Sequence, residues 1–142
     1  MRWTIAAVVL GFSATAMAAD VGEVKVAKGA AHLERGTEKL PLRVGMPVQP
    51  SDKVVTGADG TVGITFADNS LLSVGPDSVL AIDRYVFDST THGGQFDSTL
   101  SKGTLAVISG KMVKQSPDAM RVHTPSAIMG VRGTEFIVKV DR

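Results

Sequence analysis

Four residues could supply acid–base chemistry if the fold brought them together, namely Asp52, Asp68, Asp77 and His123. Carboxylates and imidazoles are common general acids and bases, and catalytic groups often come from distant parts of a chain. The aspartates, however, lie in turn-forming contexts such as Pro76-Asp77-Ser78, where Asp side chains bond to nearby backbone amides. Turn formation is therefore the favoured interpretation, and we predict no catalytic residues.

The sequence also predicts no metal site and no cofactor. His32, His92 and His123 are far apart, and the chain contains no cysteine. The aspartates do not form the acidic ladder of an EF-hand loop, and neither a nucleophile elbow, a phosphate-binding loop nor a dinucleotide fingerprint occurs. We therefore predict a non-enzymatic protein. A hydrolase is an alternative that requires titratable residues converging in one pocket.

Arg132 is the most distinctive polar residue, because it lies between Gly130 and Gly133 in an otherwise apolar, strand-forming run. The glycines allow positive φ or a close backbone approach, and Pro125 biases Thr124 toward an extended conformation. The planar guanidinium of Arg132 suits either of two uses, an exposed anchor for a partner's carboxylate or an internal strut that satisfies backbone carbonyls. The strut is favoured, because close backbones leave carbonyls in need of donors.

The first 18 residues are typical of a secretory signal peptide. A short positive region with Arg2 precedes an apolar core, and Ala16-Met17-Ala18 forms a small-x-small cleavage site. The alternative, an uncleaved anchor, is disfavoured because the apolar stretch is shorter than the ~20 residues of a spanning helix. We therefore expect a mature protein that is periplasmic or secreted and that does not insert into the membrane.

The composition of the predicted mature chain disfavours nucleic-acid binding. Arg2 is one of 15 basic residues, so its removal leaves 14 basic and 14 acidic residues and no formal net charge. Such a chain has no general electrostatic attraction to nucleic acid. Trp3 and Phe12 also leave with the signal peptide, so few aromatic rings remain as stacking platforms for sugars or bases.

Short alternating segments predict an all-β fold. In Val62 to Phe66, for example, apolar residues alternate with Gly63 and Thr65, and turn sequences such as Asp59-Gly60 separate the runs. We expect one compact domain over residues 19–142, built of short, mostly antiparallel strands in a sandwich or roll. No helix of useful length is predicted, although Ser126 to Met129 could form a single turn. The predicted core comprises Val54, Val62, Ile64, Phe66, Leu72, Leu80, Ile82, Leu105, Val107, Phe136 and Val138.

A short internal repeat has two interpretations. In it, Phe87-Asp88-Ser89-Thr90 recurs as Phe96-Asp97-Ser98-Thr99. One is a mobile loop that contacts a partner. The favoured one is a β-hairpin with similar residues on its two strands across a Gly93-Gly94 turn.

The order of motifs resembles that of the FecR domain, a bacterial periplasmic module. The resemblance covers nearly all of residues 19–142 and ends in a family signature made up of Thr124, Pro125, Gly130, Val131, Arg132, Gly133, Thr134 and Phe136. It implies a signalling or interaction module, and this chain looks like a stand-alone member without the cytoplasmic and membrane segments of the iron-citrate regulators. We expect a protein partner in the cell envelope. The alternative is a domain that binds a small ligand or a cell-wall glycan, which requires a concave polar groove.

Overall fold

A computed structural model describes residues 20–130 and 133–140. The described residues contain twelve strands and one short helix. In chain order the strands are β1 (Gly22–Lys28), β2 (Ala31–Arg35), β3 (Glu38–Pro41), β4 (Pro47–Val48), β5 (Lys53–Thr56), β6 (Thr61–Phe66), β7 (Leu71–Val74), β8 (Val79–Phe87), β9 (Gly94–Ile108), β10 (Met120–His123), β11 (Ile128–Gly130) and β12 (Glu135–Val140), with helix α1 (Lys111–Gln115) between β9 and β10. The predicted all-β fold is confirmed.

The strands form one curled sheet because the 15-residue strand β9 belongs to two halves. In the half that we call sheet A, strands β4, β1, β6 and β7 lie in this order beside the end of β9, which also pairs with β12. In the half that we call sheet B, strands β3, β2, β5 and β8 lie beside the start of β9, which also pairs with β10, and β11 pairs with β10. Every pairing is antiparallel except that of β9 with β10.

Strand β9 changes from sheet B to sheet A at Gly103. The residues up to Lys102 pair with β8, and those from Gly103 onward pair with β12. Gly103 has φ +93, a left-handed conformation that glycine adopts without steric cost. This local conformation lets one continuous strand serve both halves of the sheet.

The inward side chains of both halves form one hydrophobic core. Ten of the eleven predicted core residues are buried, including Phe66, which is 2% exposed and contacts the rings of Tyr85 and Phe96. Phe136 is the exception. It packs against the core but is only partly buried on β12, whose one neighbouring strand among the described residues is β9. Several buried residues were not among those predicted, including Val24, Leu33, Phe96, Leu100, Met112 and Met120.

Two local predictions need correction. Helix α1 was not predicted, because five residues are too few to show a helical period, although Met112 and Val113 are buried. The predicted single turn at Ser126 to Met129 is also wrong, since Ile128–Gly130 forms β11. Pairing with β10 supplies the backbone partners of β11 that a helical turn would otherwise provide.

The short internal repeat lies in the β8–β9 hairpin, as the favoured interpretation predicted. The two copies do not face each other, because Phe87 is opposite Gly94 and Phe96 is opposite Tyr85. Asp88 begins the connecting loop, where its carboxylate accepts the amides of Thr90 and Thr91.

Candidate functional site

The candidate acid–base residues occupy separate structural positions. The buried carboxylate of Asp52 accepts two hydrogen bonds from Arg35, at 2.9 and 2.7 Å, and one from the amide of Gln49. Asp77 has φ +51 in the turn before β8, and its amide donates to the carbonyl of Gly57. Within the described residues no group of three His, Asp or Glu could hold a metal ion.

Asp68 lies at the centre of a buried polar cluster. Its carboxylate accepts hydrogen bonds from the Ser70 amide at 3.1 Å, the Ser70 hydroxyl at 2.7 Å and the Tyr85 hydroxyl at 3.0 Å. The Met112 amide at the start of α1 donates to the same carboxylate at 3.4 Å. The cluster therefore joins the β6–β7 turn to β8 and α1. Because its members satisfy one another in the protein interior, we interpret it as a structural element.

The ionisation of the Tyr85 hydroxyl makes the contribution of this cluster to stability measurable as a function of pH. It is the single tyrosine of the chain and is 7% exposed. Burial raises the pKa of its hydroxyl above the ordinary value of 10.0, and the nearby Asp68 carboxylate raises this pKa further. The folded protein therefore retains the phenolic proton at a pH at which the unfolded chain has lost it.

We predict that this difference lowers stability at alkaline pH. The unfolded chain releases the proton at about pH 10, so the free energy of unfolding falls as pH rises above that value. Tyr85→Phe lacks this titration, and its stability should fall less steeply between about pH 9 and 12. Urea unfolding at several pH values measures both slopes, and tyrosinate absorbance measures the titration directly. Parallel slopes, or a folded-state absorbance midpoint near pH 10, would contradict the prediction.

The signature residues extend from the β10–β11 turn into β12. In the turn, the Thr124 hydroxyl donates to the Ala127 carbonyl and accepts from the Ala127 amide, both at 3.1 Å. Pro125 and Ser126 form the exposed tip. Beyond β11, the carbonyls of Gly133 and Thr134 accept hydrogen bonds from Ser109. The structure thus brings the signature next to the end of β9, a relation that its sequence position does not reveal.

The two signature glycines differ in their geometry. Gly133 has φ +94, in agreement with the expected use of a glycine. Gly130 does not have a positive φ, and no described atom lies within 4 Å of where its Cβ would be. The expectation that both glycines serve a strained or crowded backbone therefore holds for Gly133 alone. Val131 and Arg132 lie outside the described residues, so the choice between strut and anchor stays a prediction.

A groove of about 450 Å³ lies beside this turn. The lining residues come from the turn, from β11 and from the end of β12, and are Thr124, Pro125, Ser126, Ala127, Met129, Lys139 and Val140. Thr124 and Pro125 belong to the predicted signature, whereas Met129, Lys139 and Val140 were not predicted as site residues. Only the pairing of β12 with β9 and of β11 with β10 places these residues around one groove.

Both strands that contribute to the groove are sheet edges. Within the part of the chain that the structure describes, β11 pairs only with β10, and β12 pairs only with β9. The amide of Thr124 donates to the carbonyl of Ala127, and bonded and non-bonded pairs alternate in an antiparallel ladder. The amide of Ile128 therefore points away from β10, and none of the described strands pairs with it on that side.

No helix in the described residues is long and apolar enough to cross a membrane. The signal-peptide prediction concerns Met1 to Ala18, which lie outside the described residues.

Comparison with known proteins identifies a family for most of the chain. The family model described as FecR protein matches residues 52–142, which includes β5 to β12. No curated protein and no solved structure matches the chain. Because the matched region is well over half of the sequence and agrees with the motif order and the all-β fold, the chain belongs to the FecR protein family.

Proposed function

We propose that this protein is a non-enzymatic, periplasmic signalling module that binds a protein partner in the cell envelope through the edge strands beside the signature turn. The FecR family acts in signalling and regulation, and FecR domains are typically associated with the cell envelope. The observation that carries the proposal is the groove lined by β11, β12 and the signature turn, because among the described residues each of these two strands has a neighbouring strand on one side alone.

An extended segment of a partner suits this site for a physical reason. An edge strand presents unpaired amides and carbonyls, and an added strand satisfies them while its alternate side chains enter neighbouring pockets. The groove offers apolar contacts from Met129 and Val140 beside the polar atoms of Thr124 and Ser126. Backbone pairing would provide affinity, and the groove would select the side chains of the partner.

The alternative function, binding of a small ligand or a cell-wall glycan, uses the same groove differently. Sugars stack on aromatic rings, and none of the described residues that line the groove is aromatic. The mixed polar and apolar lining therefore favours a polypeptide over a glycan.

We predict that Ile128→Pro reduces partner binding, whereas Ile128→Ala does not. Ile128 is 68% exposed, so neither change removes a buried side chain. Proline deletes the outward amide and obstructs strand addition, whereas alanine retains that amide. The partner is first identified in the native host with a photo-crosslinking amino acid at Ser126. Binding by purified Ile128→Pro should then weaken by about tenfold or more, and binding by Ile128→Ala should change less than about threefold.

The crosslinking control is the same photo-crosslinking amino acid at Lys39. This residue lies on β3, an edge strand of sheet B that is far from β11 and β12 in the strand order. Equal binding by the two Ile128 variants, or equal capture from Lys39, would contradict the proposed site. Adducts that contain cell-wall glycan instead of protein would support the alternative function. Urea unfolding of each variant establishes that it is folded.

A further inference from the structure

Gly130 is a signature glycine that the described part of the fold does not require. It has no positive φ, and no described atom lies within 4 Å of where its Cβ would be. Neither backbone strain nor crowding by described residues therefore explains glycine at this position. A glycine in a strand often marks a site at which another backbone or a ligand approaches closely.

The strand register places Gly130 at the end of a charged row on the outer face of sheet B. The row runs through Arg84 on β8, Asp97 on β9, Arg121 on β10 and Gly130 on β11, and each residue is the direct partner of the next. Direct partners in neighbouring strands project to the same face of a sheet. Arg121 is therefore beside the open space above Gly130.

The hydrogen-bond pattern brings the backbones of Arg121 and Gly130 close together. Bonded and non-bonded pairs alternate from the bonded pair of Thr124 and Ala127, so Arg121 and Gly130 form a non-bonded pair. The Cα atoms of such a pair are about 4.5 Å apart, and its side chains are the closest in the ladder. The amide and carbonyl of Gly130 point away from β10, as those of Ile128 do, toward the position of an added strand.

The guanidinium of Arg121 is exposed, and no described residue forms an ion pair with it. The adjacent Asp97 does not hold it, because Oδ2 of Asp97 accepts a hydrogen bond from the Gln95 side chain at 2.9 Å and Oδ1 is buried. Arg84, on the other side of Asp97, is also exposed and also lacks an ion pair with any described residue. The row thus contains two cations and one acid, and Arg121 is the cation nearest to β11.

The other acids of sheet B and of the loop before β10 have different partners. Asp83 on β8 accepts a hydrogen bond from Thr99, and Glu34 on β2 pairs with His32. Asp118, in the loop before β10, already takes part in an interaction. The described residues therefore offer a positive charge beside Gly130 without a carboxylate that pairs with it.

We propose, on the basis of the strand addition proposed above, that the partner segment beside β11 carries an acidic residue that reaches over Gly130 to Arg121. A residue opposite Gly130 on the added strand would lie about 5.5 Å from it, and thus about 10 Å from Arg121 between Cα atoms. The acidic side chain and the long side chain of Arg121 close this distance because no side chain stands between them. The planar guanidinium suits a carboxylate, since its N–H groups bind both oxygens at once.

The same geometry specifies the residue next to the acid. Successive side chains of a strand point to opposite faces, so this neighbour points to the groove, where Met129 and Val140 offer apolar contacts. The partner segment therefore has an acidic residue adjacent to an apolar one. In this arrangement Gly130 determines specificity, because any side chain at its position would separate the acid from Arg121.

The test selects random peptides displayed on phage against the purified full chain. Peptides bound by the wild type should be enriched in Asp or Glu next to an apolar residue. Arg121→Glu should change the preference to Lys or Arg, whereas Arg84→Glu should retain the preference for acids. Arg84 is the matched control because it is exposed and in the same row, but β9 and β10 separate it from β11.

Fluorescence anisotropy with one selected acidic peptide measures the size of the effect. Arg121→Ala should weaken binding by about fivefold or more and reduce its dependence on salt, and Arg84→Ala should change it by less than about twofold. Gly130→Val should also weaken binding by about fivefold or more, because valine fills the space above Gly130. Its urea midpoint should not fall, since no described atom meets the new Cβ and valine favours strands.

Ile128→Pro distinguishes this proposal from the proposed function. Acid-selective peptides that lose binding to Ile128→Pro would support both. Peptides that need the Ile128 amide but show no preference for acids, or a preference that Arg121→Glu does not reverse, would overturn the acidic segment and leave the edge-strand site intact. Equal binding of the selected peptides to Ile128→Pro and the wild type would contradict the edge-strand site itself. Failure to select any peptide would also overturn the acidic segment, while the crosslinked native partner would still test the edge-strand site.

Discussion

Asp68→Ala should lower the free energy of unfolding by about 3–5 kcal/mol, as expected when a buried, hydrogen-bonded carboxylate is removed. Asp68 is fully buried, and its side chain accepts hydrogen bonds from Ser70, Tyr85 and Met112. Alanine leaves these donors without a partner in the protein interior. Urea unfolding followed by circular dichroism measures the change, which should be a lower midpoint with an unchanged slope.

Asp88→Ala is the matched control for this variant. Asp88 also accepts two backbone amides, from Thr90 and Thr91, but it lies in an exposed loop. Water can replace those bonds, so the unfolding midpoint should change little. If both alanine variants shift the midpoint equally, or if Asp68→Ala shifts it no more than a typical surface change, the interpretation of the cluster as a structural element is wrong.

Gly103→Ala should destabilise the protein by about 3–5 kcal/mol through two additive causes, a left-handed backbone and a direct overlap. Gly103 has φ +93, and a Cβ atom there would lie 1.9 Å from Oγ and 2.5 Å from Cα of Ser78. Ser78 cannot easily move, because its buried side chain donates to the Pro76 carbonyl and accepts from the Thr104 amide. The backbone at the point where β9 changes sheets would therefore have to shift.

Gly36→Ala separates the two causes. Gly36 also has positive φ, +62, but no described atom lies within 4 Å of its Cβ position. Only the backbone term applies there, so the expected cost is about 1–2 kcal/mol. Thermal unfolding of the two variants gives the comparison. Similar losses in both would show that the contact with Ser78 does not limit substitution at Gly103.

The sequence by itself determined the type of structure and the family. Alternation such as that of Val62, Ile64 and Phe66 specifies which residues face a core, because successive side chains of a strand point to opposite faces. Turn residues marked the ends of the strands, and the motif order ending in Gly130 to Phe136 led to the family. These signals are local, so they can be recognised before the strands are arranged.

Only the tertiary structure decided which strands are neighbours and which residues therefore meet. Asp68 was recognised as a turn residue from its sequence context, and the structure shows its local bond to Ser70. Its other partners, Tyr85 and Met112, come from different elements. Alternation fixes a buried face without selecting an adjacent strand, so neither this cluster nor the groove between β11 and β12 was predictable.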